Sequence, residues 1–189
     1  INGELVLSGY VMSDEHASWA WEDEIFFCPR MVREGLLHLG EGEVVVRLNS
    51  IGGDPVAGEA IRSVLAGHPG GVRIVVEGCA ASAASLLLMG GRRREMTAGS
   101  WIMIHNPSAW VSGGADELRA QADVLDMLAR IYGQVYAQAS GQTVDDIITM
   151  MAAETYMDAA AAIAGGFIHA LAASDAPPPE MPAPPAAVP

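Results

Sequence analysis

Near the middle of the chain, a block of very small residues at positions 78–85 separates two apolar runs. The preceding run, residues 71–77, is rich in β-branched side chains and predicts a buried strand. The following run, residues 86–90, is rich in Leu and predicts a helix that a glycine pair ends. A tight turn from strand to helix presents one side chain and leaves N–H groups unpaired at the helix start. The block predicts either a nucleophile beside an anion site or a helix that Ser82 merely caps.

Other strand and helix patterns alternate on both sides of this block. Strands or extended segments are predicted at residues 4–11, 43–48, 101–104 and 154–157. Helices are predicted at residues 29–39, 55–68, 115–139, 144–153 and 158–164. Alternation at this short spacing implies right-handed crossovers over a mainly parallel sheet, so residues 1–173 are expected to form one α/β domain. The helix at residues 115–139 is long and is expected to protrude and pack on a partner subunit.

Three segments do not fit the alternation. Residues 12–27 mix acidic and aromatic side chains, which fits an ordered flap, a surface that docks on a neighbour, or a loop with buried aromatics. Three arginines at residues 92–94 either contact acidic groups of another subunit or form a solvated turn. Residues 174–189 are rich in Pro and Ala and are expected to be a disordered tail or a linker to a further segment.

Composition excludes several classes of function. The net charge of −13 leaves no basic surface for nucleic acid. No apolar stretch reaches membrane-spanning length, so no membrane contact is expected. Cys28 and Cys79 fit neither a metal site nor a disulfide framework, which favours a reducing, cytoplasmic compartment. Cys79 is expected to be a packing residue. No metal or cofactor is predicted.

Three side chains, in the order Ser82, His105 and Glu154, form a candidate catalytic set. A serine is a weak nucleophile without a base in hydrogen-bond reach, and His105 follows a predicted strand at the rim of the sheet. An imidazole base needs an acid to hold its tautomer, and Glu154 begins an extended segment. Each residue also has an ordinary alternative, since rim histidines often bond to backbone and carboxylates at helix ends are often solvated.

A second loop supports this set. Residues 49–53, Asn-Ser-Ile-Gly-Gly, follow a strand and precede a helix, so their N–H groups are expected to face an anion. The N–H groups of Gly52 and Ala83 are expected to hold the oxyanion of a tetrahedral intermediate. An extended substrate is expected to pair its backbone with the chain near Gly53 and near Gly113 and Gly114.

Several stretches resemble the proteolytic subunit of the Clp protease family. They are residues 49–53 (NSIGG), 78–82 (GCAAS) and 102–107 (IMIHNP), with weaker support from residues 159–168. Residues 53–54, 82–85 and 154–156 are more similar to the Clp-like head-maturation proteases of tailed bacteriophages and prophages. The resemblance covers residues 3–171.

The resemblance implies the ββα-spiral fold that Clp proteases share with crotonases, and hydrolysis of peptide bonds. It assigns Ser82 as the nucleophile and His105 as the general base. It assigns Gly52 and Ala83 as the oxyanion donors. Rings of identical subunits are implied too, with the helix at residues 115–139 at the contacts between subunits or rings.

Three positions depart from the family pattern. Ile51 stands where the pattern has proline, which is expected to loosen that loop slightly. Glu154 stands where the family has aspartate, so the third catalytic residue is either Glu154 or Asp158, and Asp158 has the alternative role of a helix N-cap. His169 replaces an acid, with no consequence that the sequence reveals.

The sequence therefore predicts a serine endopeptidase that works through an acyl-enzyme on protein or peptide substrates. If the phage likeness holds, the substrates are scaffold and capsid proteins inside an assembling prohead. Two alternatives share the fold: a crotonase-type acyl-CoA enzyme, which needs no Ser-His pair, and a non-catalytic assembly protein.

Overall fold

Eight strands form one sheet within residues 3–173, the part of the chain that the computed structural model describes. The strands are β1 (Glu4–Val11), β2 (Phe26–Phe27), β3 (Val44–Gly53), β4 (Val72–Ala81), β5 (Arg93–Met96), β6 (Trp101–Ile104), β7 (Thr155–Asp158) and β8 (Ala170–Leu171). The helices are α1 (Asp14–Ala17), α2 (Pro29–Leu39), α3 (Pro55–Ala66), α4 (Ala83–Leu88), α5 (Ala115–Ser140), α6 (Val144–Ala152) and α7 (Ala159–Ala164). The tail predicted at residues 174–189 lies outside the described residues.

The sheet is mainly parallel, as the alternation of elements predicts. Its main path runs β2-β1-β3-β4-β5-β8, and every pairing along it is parallel. β6 pairs in parallel with the carboxyl-terminal part of β4 and antiparallel with β7. The carboxyl ends of β3, β4 and β6 therefore meet at one edge, where ligands bind in open α/β sheets.

The core lies around β4 and α4. Both faces of β4 are covered, because Ile74, Val75 and Val76 are all fully buried. The helix α4 is also buried on all sides, which explains its continuous run of small and apolar residues. Burial of one Leu of α4 contributes about 1.5–3 kcal/mol, so the core holds the start of this helix firmly in place.

The structure removes one alternative for each of two segments. The arginines at residues 92–94 do not form a solvated turn, because β5 begins at Arg93 and Arg94 is only 6% exposed. Within residues 12–27, the structure has α1 and β2, and β2 extends the sheet beside β1. The tryptophans of this segment are not buried, since Trp19 and Trp21 are 81% and 79% exposed.

The helix α5 is as long as predicted and contacts the core only through its second half. Its buried residues, Tyr132, Gly133, Tyr136 and Ala137, all lie in its last three turns. Gly133 allows close packing on α6, because a Cβ there would stand 2.8 Å from Ile148 Cδ1. The first half of α5 is solvent-exposed over most of its length.

Candidate active site

Ser82 lies alone at the turn between β4 and α4. β4 continues to Ala81 and α4 begins at Ala83, so the turn is tighter than the sequence pattern predicts. The backbone of Ser82 has φ 55° and ψ −126°, a region that L-residues rarely occupy. Its side chain makes no cap hydrogen bond to α4. The capping alternative for Ser82 is therefore wrong, and its hydroxyl is available for another partner.

That partner is His105. The parallel register of β4 with β6 places Ala81 opposite Met103, and the Ser82 N–H donates to the Met103 carbonyl oxygen over 3.0 Å. His105 follows the end of β6, and its Nε2 lies 2.7 Å from Ser82 Oγ. When the imidazole carries its proton on Nδ1, the hydroxyl donates to Nε2, which is the arrangement a serine needs for attack.

The backbone of Gly52 lies directly against this turn. Gly52 has φ 100°, and a Cβ there would stand 2.7 Å from both the Ala81 carbonyl oxygen and Ser82 Cβ, and 3.1 Å from the Ala83 nitrogen. Only glycine fits this position. The Gly52 N–H donates to Ser50 Oγ over 3.1 Å, and the Ala83 N–H belongs to the first turn of α4. The structure thus brings the backbone of Gly52 and the first residue of α4 together beside Ser82.

Glu154 lies beside His105 in the sheet register, but its carboxylate does not hydrogen-bond to the ring. The antiparallel register of β6 and β7 pairs Ile104 with Thr155, so Glu154 is one step beyond the last pair, as His105 is. Glu154 is exposed with φ 49°, and within residues 3–173 no hydrogen bond joins its carboxylate to the imidazole. Asp158 lies at the far end of β7 opposite Trp101, and its carboxylate accepts from the Ala161 N–H over 2.8 Å. Asp158 therefore caps α7.

Comparison with known proteins agrees with this geometry. The family model described as Clp protease matches residues 32–175. This chain belongs to the Clp protease family. Over 152 residues it is 34% identical to "ATP-dependent Clp protease proteolytic subunit 2" of Thermobifida fusca, covering 78% of this chain and 74% of that protein. Over 133 residues it is 32% identical to "ATP-dependent Clp protease proteolytic subunit" of Pleurastrum terricola, covering 69% and 68%.

Membership of the family confirms the predictions of fold and enzyme class. The α/β fold with its mainly parallel sheet is that of Clp proteases, and the chain is a serine-type peptidase. The match therefore favours the peptidase over the crotonase-type and non-catalytic alternatives. Both relatives are named as proteolytic subunits, and neither is described as a phage protease.

Sequence reasoning missed a buried pair behind the nucleophile. Ser85 is fully buried, and its Oγ lies 2.7 Å from the Ser82 carbonyl oxygen, to which it donates. The same Oγ lies 2.8 Å from the Tyr136 hydroxyl of α5, and burial raises the pKa of Tyr136 well above its usual range. The signal in the sequence was the second serine of the run at residues 82–85, whose partner is 51 positions away.

A small apolar pocket adjoins the Ser82–His105 pair. Its volume is about 20 Å³, roughly the space of one or two water molecules. Its walls include side chains of four elements or loops, namely Pro55, Leu86, Pro107, Tyr132 and Tyr136. The two tyrosines of α5 limit the depth of this pocket, so the long helix takes part in the site.

The three glycines expected to pair with substrate have different surroundings. Gly53 pairs with Val11 of β1, and a Cβ there would stand 2.1 Å from the Val11 carbonyl oxygen. Gly113 and Gly114 lie in the exposed segment before α5, and the Gly114 N–H donates to Glu117 Oε2 over 2.6 Å. The close approach to β1 explains the glycine at position 53 without a substrate.

Other chemistry near the site is limited. Cys79 is buried, and burial raises the pKa of its thiol, so it remains a thiol rather than a reactive thiolate. Within residues 3–173, no group of three His, Cys, Asp or Glu side chains is placed to hold a metal ion. None of the helices in that range is long and apolar enough to cross a membrane.

Proposed function

We propose that this peptidase cleaves internal peptide bonds with Ser82 as nucleophile and His105 as general base. The observation that carries the proposal is the 2.7 Å contact between Ser82 Oγ and His105 Nε2 at a strained turn. Ser82 Oγ forms a bond to the substrate carbonyl carbon while its proton passes to Nε2. The imidazolium then returns that proton to the leaving amine, and water hydrolyses the acyl-enzyme by the reverse route.

The oxyanion is held by the N–H groups of Gly52 and Ala83. Both lie against the Ser82 turn, and α4 adds the positive end of its first turn. The Gly52 N–H donates to Ser50 Oγ in the free site, so a bound carbonyl oxygen replaces that hydroxyl as acceptor. Removal of one such donor typically lowers kcat by roughly 10²–10³-fold.

Glu154 is proposed as the acid that orients His105. The antiparallel register brings its Cα opposite His105, and a rotation of its exposed side chain would bring a carboxylate oxygen to Nδ1. Glu154→Gln is then expected to lower kcat/KM by about 10²-fold or more. Asp158→Asn is the matched control. It weakens only the α7 cap and leaves kcat/KM within about twofold.

The small pocket beside Ser82 favours a small side chain on the acyl side of the cleaved bond. Tyr132 and Tyr136 leave a volume of about 20 Å³, which suits Ala better than Leu or Phe. Substrate backbone is proposed to extend from the site past Gly53 on one side and past Gly113 and Gly114 on the other, in β-strand pairing.

The assembly is proposed to be a ring of identical subunits located in the cytoplasm, in keeping with the relatives named as proteolytic subunits. Its proposed biological role is head maturation, with scaffold and capsid proteins cleaved inside an assembling prohead. The support for that role is the likeness of residues 53–54, 82–85 and 154–156 to phage enzymes. A role in ATP-dependent proteolysis, which the names of both relatives state, is the competing assignment.

Hydrolysis of a fluorogenic peptide panel tests the peptidase. The full chain is assayed with peptides that differ only in the residue before the reporter, beside Ser82→Ala and His105→Ala variants. We expect turnover that is highest for Ala and is lost in both variants by roughly 10⁴-fold or more. Equal turnover by wild type and Ser82→Ala would overturn the assignment. Co-expression with phage scaffold and capsid proteins then tests head maturation by the appearance of shortened products.

A further inference from the structure

A polar cavity that neither catalytic side chain borders contains a buried cation. The cavity has a volume of about 300 Å³ and is lined by side chains that include Arg62, Arg94, Gln138 and His169. Three of these side chains are basic residues and none is acidic. Neither Ser82 nor His105 borders it, so the catalytic mechanism does not use it.

Arg94 is the cation that this cavity surrounds. It is only 6% exposed, and within residues 3–173 its guanidinium forms no salt bridge with a carboxylate. Its N–H groups donate instead to four backbone carbonyl oxygens, those of Phe167, Gly91, Ala139 and Gly166, over 2.7–3.4 Å. Carbonyl dipoles satisfy the donors and leave a net positive charge in a place where water is scarce.

The other charged groups nearby do not neutralise Arg94. Arg62 is neutralised by Glu59, which accepts two hydrogen bonds of 2.7 Å from its guanidinium. Glu95 follows Arg94 in β5, so its side chain takes the opposite face, where it binds Arg73 and Arg93. The cavity thus carries about one uncompensated positive charge.

His169 adds a hydrogen-bond donor to the same cavity. Its Nδ1 accepts the Arg94 backbone N–H over 3.0 Å, so the neutral ring carries its proton on Nε2. Burial, and next the charges of Arg94 and Arg93, lower the pKa of His169, which keeps the ring neutral near pH 7. His169, Gln138 and Arg94 thus offer an imidazole, an amide and a guanidinium to an acceptor that enters the cavity.

We propose that this cavity binds a small oxyanion, a free phosphate or carboxylate group, which neutralises Arg94. Oxyanions fit because guanidinium and imidazole N–H groups form short, charge-assisted hydrogen bonds to them. The volume of about 300 Å³ exceeds that of a phosphate ion and accommodates a small organic phosphate or carboxylate. Binding stabilises the folded chain, because the unfolded chain has no such site.

Two variants at position 169 differ only in the charge of the side chain. His169→Asp puts a carboxylate oxygen where Nδ1 stands, two bonds from Cβ, so it keeps the acceptor for the Arg94 N–H and also supplies a fixed negative charge. His169→Asn keeps the same acceptor without any charge. Both variants retain the backbone contact, so neither is expected to disturb the fold. The comparison between them isolates the charge.

The experiment measures the thermal midpoint of the full chain as inorganic phosphate is added at constant ionic strength and neutral pH. We expect the midpoint of the wild type and of His169→Asn to rise by roughly 5 °C at saturation. His169→Asp is expected to start from a higher midpoint and to show no response. No response of the wild type, an equal response of His169→Asp, or an equal loss in both variants would overturn the proposal. Acetate in place of phosphate then distinguishes a carboxylate-selective site from a phosphate-selective one.

Discussion

Ser82 has a backbone conformation that the surrounding residues must hold. A non-glycine residue in such a region costs roughly 1–3 kcal/mol, so it persists only where other contacts fix it. Here the Ser82 N–H donates to Met103 and the Ser82 carbonyl oxygen accepts from Ser85 Oγ. These two contacts direct the hydroxyl toward His105. They make Ser85 a positioning residue, one step removed from the reaction.

The Ser85–Tyr136 pair gives a residue-scale prediction. Ser85→Ala leaves the buried Tyr136 hydroxyl without its partner and is expected to cost about 1–3 kcal/mol of unfolding free energy. Tyr136→Phe is expected to cost less, because Ser85 keeps its bond to the Ser82 carbonyl. The loss of unfolding free energy in the double variant is expected to be smaller than the sum of the losses in the two single variants. Chemical denaturation of the wild type and the three variants completes this double-mutant cycle. Losses that simply add would contradict an interaction between Ser85 and Tyr136.

The same variants separate positioning from folding. Ser85→Ala is expected to lower kcat of peptide hydrolysis with little change in KM, because the Ser82 turn loses one of the two hydrogen bonds that position it. Tyr136→Phe leaves the hydrogen bond from Ser85 to the Ser82 carbonyl oxygen intact and is expected to leave kcat unchanged. Equal kcat for both variants would mean that Ser85 acts on stability alone.

The residues that bear on catalysis differ in how far the sequence could reveal them. Ser82 and His105 could be predicted because each stands at the end of a strand pattern, and the parallel sheet brings such ends together. Glu154 could be placed by motif alone, but the side-chain rotamer that decides its contact with His105 leaves no trace in a sequence. Ser85 and Tyr136 are 51 positions apart, and only the packing of α4 on α5 joins them.

At the scale of elements, α3 and α4 approach each other at Gly58. A Cβ at Gly58 would stand 2.9 Å from the Ala83 carbonyl oxygen and 3.1 Å from Ala83 Cβ. A glycine inside a helix often marks such a close approach of a neighbouring element. The contact also places α3 against the first turn of α4, which supplies an oxyanion donor.

Gly58→Ala tests this contact. The added methyl group is expected to push α4 away from α3, lowering the unfolding free energy by about 1–3 kcal/mol and lowering kcat as Ala83 moves. Gly99→Ala is the control, because nothing lies within 4 Å of a Cβ there. Denaturation and peptide hydrolysis are measured on both. An unchanged kcat for Gly58→Ala would show that α4 tolerates the shift.

β4 and β5 are joined by a charge cluster. Arg73 and Arg93 are register partners across the two strands, and Glu95 binds both of them. Burial raises the pKa of Glu95, but the hydrogen bonds from Arg93 and Arg73 outweigh it and hold the pKa below its usual value of 4.5. The pKa of Glu95 is lower in the folded state than in the unfolded state. The ionised carboxylate therefore stabilises the fold fully at pH values above the unfolded-state pKa, and this stabilisation is lost as the pH falls through the folded-state pKa.

Glu95→Gln is expected to cost about 1–3 kcal/mol at neutral pH, because two arginines lose their shared acceptor. The difference from wild type is expected to shrink as pH falls below about 4.5 and the wild-type carboxyl is protonated. Unfolding curves at several pH values measure the difference. Glu41→Gln, at an exposed position, is the control. A gap that is constant with pH would contradict the assignment of the stabilisation to the ionised carboxylate.

β5 also shows where sequence patterns fail for elements. Three consecutive arginines are typical of a solvated turn, and no apolar alternation indicates a strand at residues 93–96. The strand forms because partners from distant parts of the chain accept these side chains: Glu95 binds Arg73 and Arg93, and four carbonyl oxygens bind Arg94. The elements with clear periodicity, such as β4 and α3, were predicted to within a few residues.

At the scale of the whole molecule, α5 has a second apolar stripe that faces solvent. Val124, Met127 and Ile131 follow the i, i+3, i+7 spacing of one helix face and are 41–47% exposed. Tyr132 and Tyr136 occupy the core-facing side of the same helix. A helix with two apolar faces suits the proposed packing on another subunit, and the tyrosines link that contact to the catalytic pocket.

Met127→Glu tests the proposed subunit contact. A charge in the middle of the stripe is expected to lower the molar mass measured by light scattering, with helical content unchanged by circular dichroism. Ala122→Glu adds the same charge to an exposed position on the opposite side of the same helix and is expected to leave the mass unchanged. An assembly of unchanged mass in Met127→Glu would place the subunit contacts elsewhere.

Fluorophosphonate labelling shows whether Ser82 is a nucleophile that His105 activates. The full chain is treated with the probe and digested, and the modified residue is located by peptide mass spectrometry, beside a His105→Ala variant. We expect modification at Ser82 in the wild type and its loss in the variant. Absence of labelling, or labelling that is the same without His105, would contradict it.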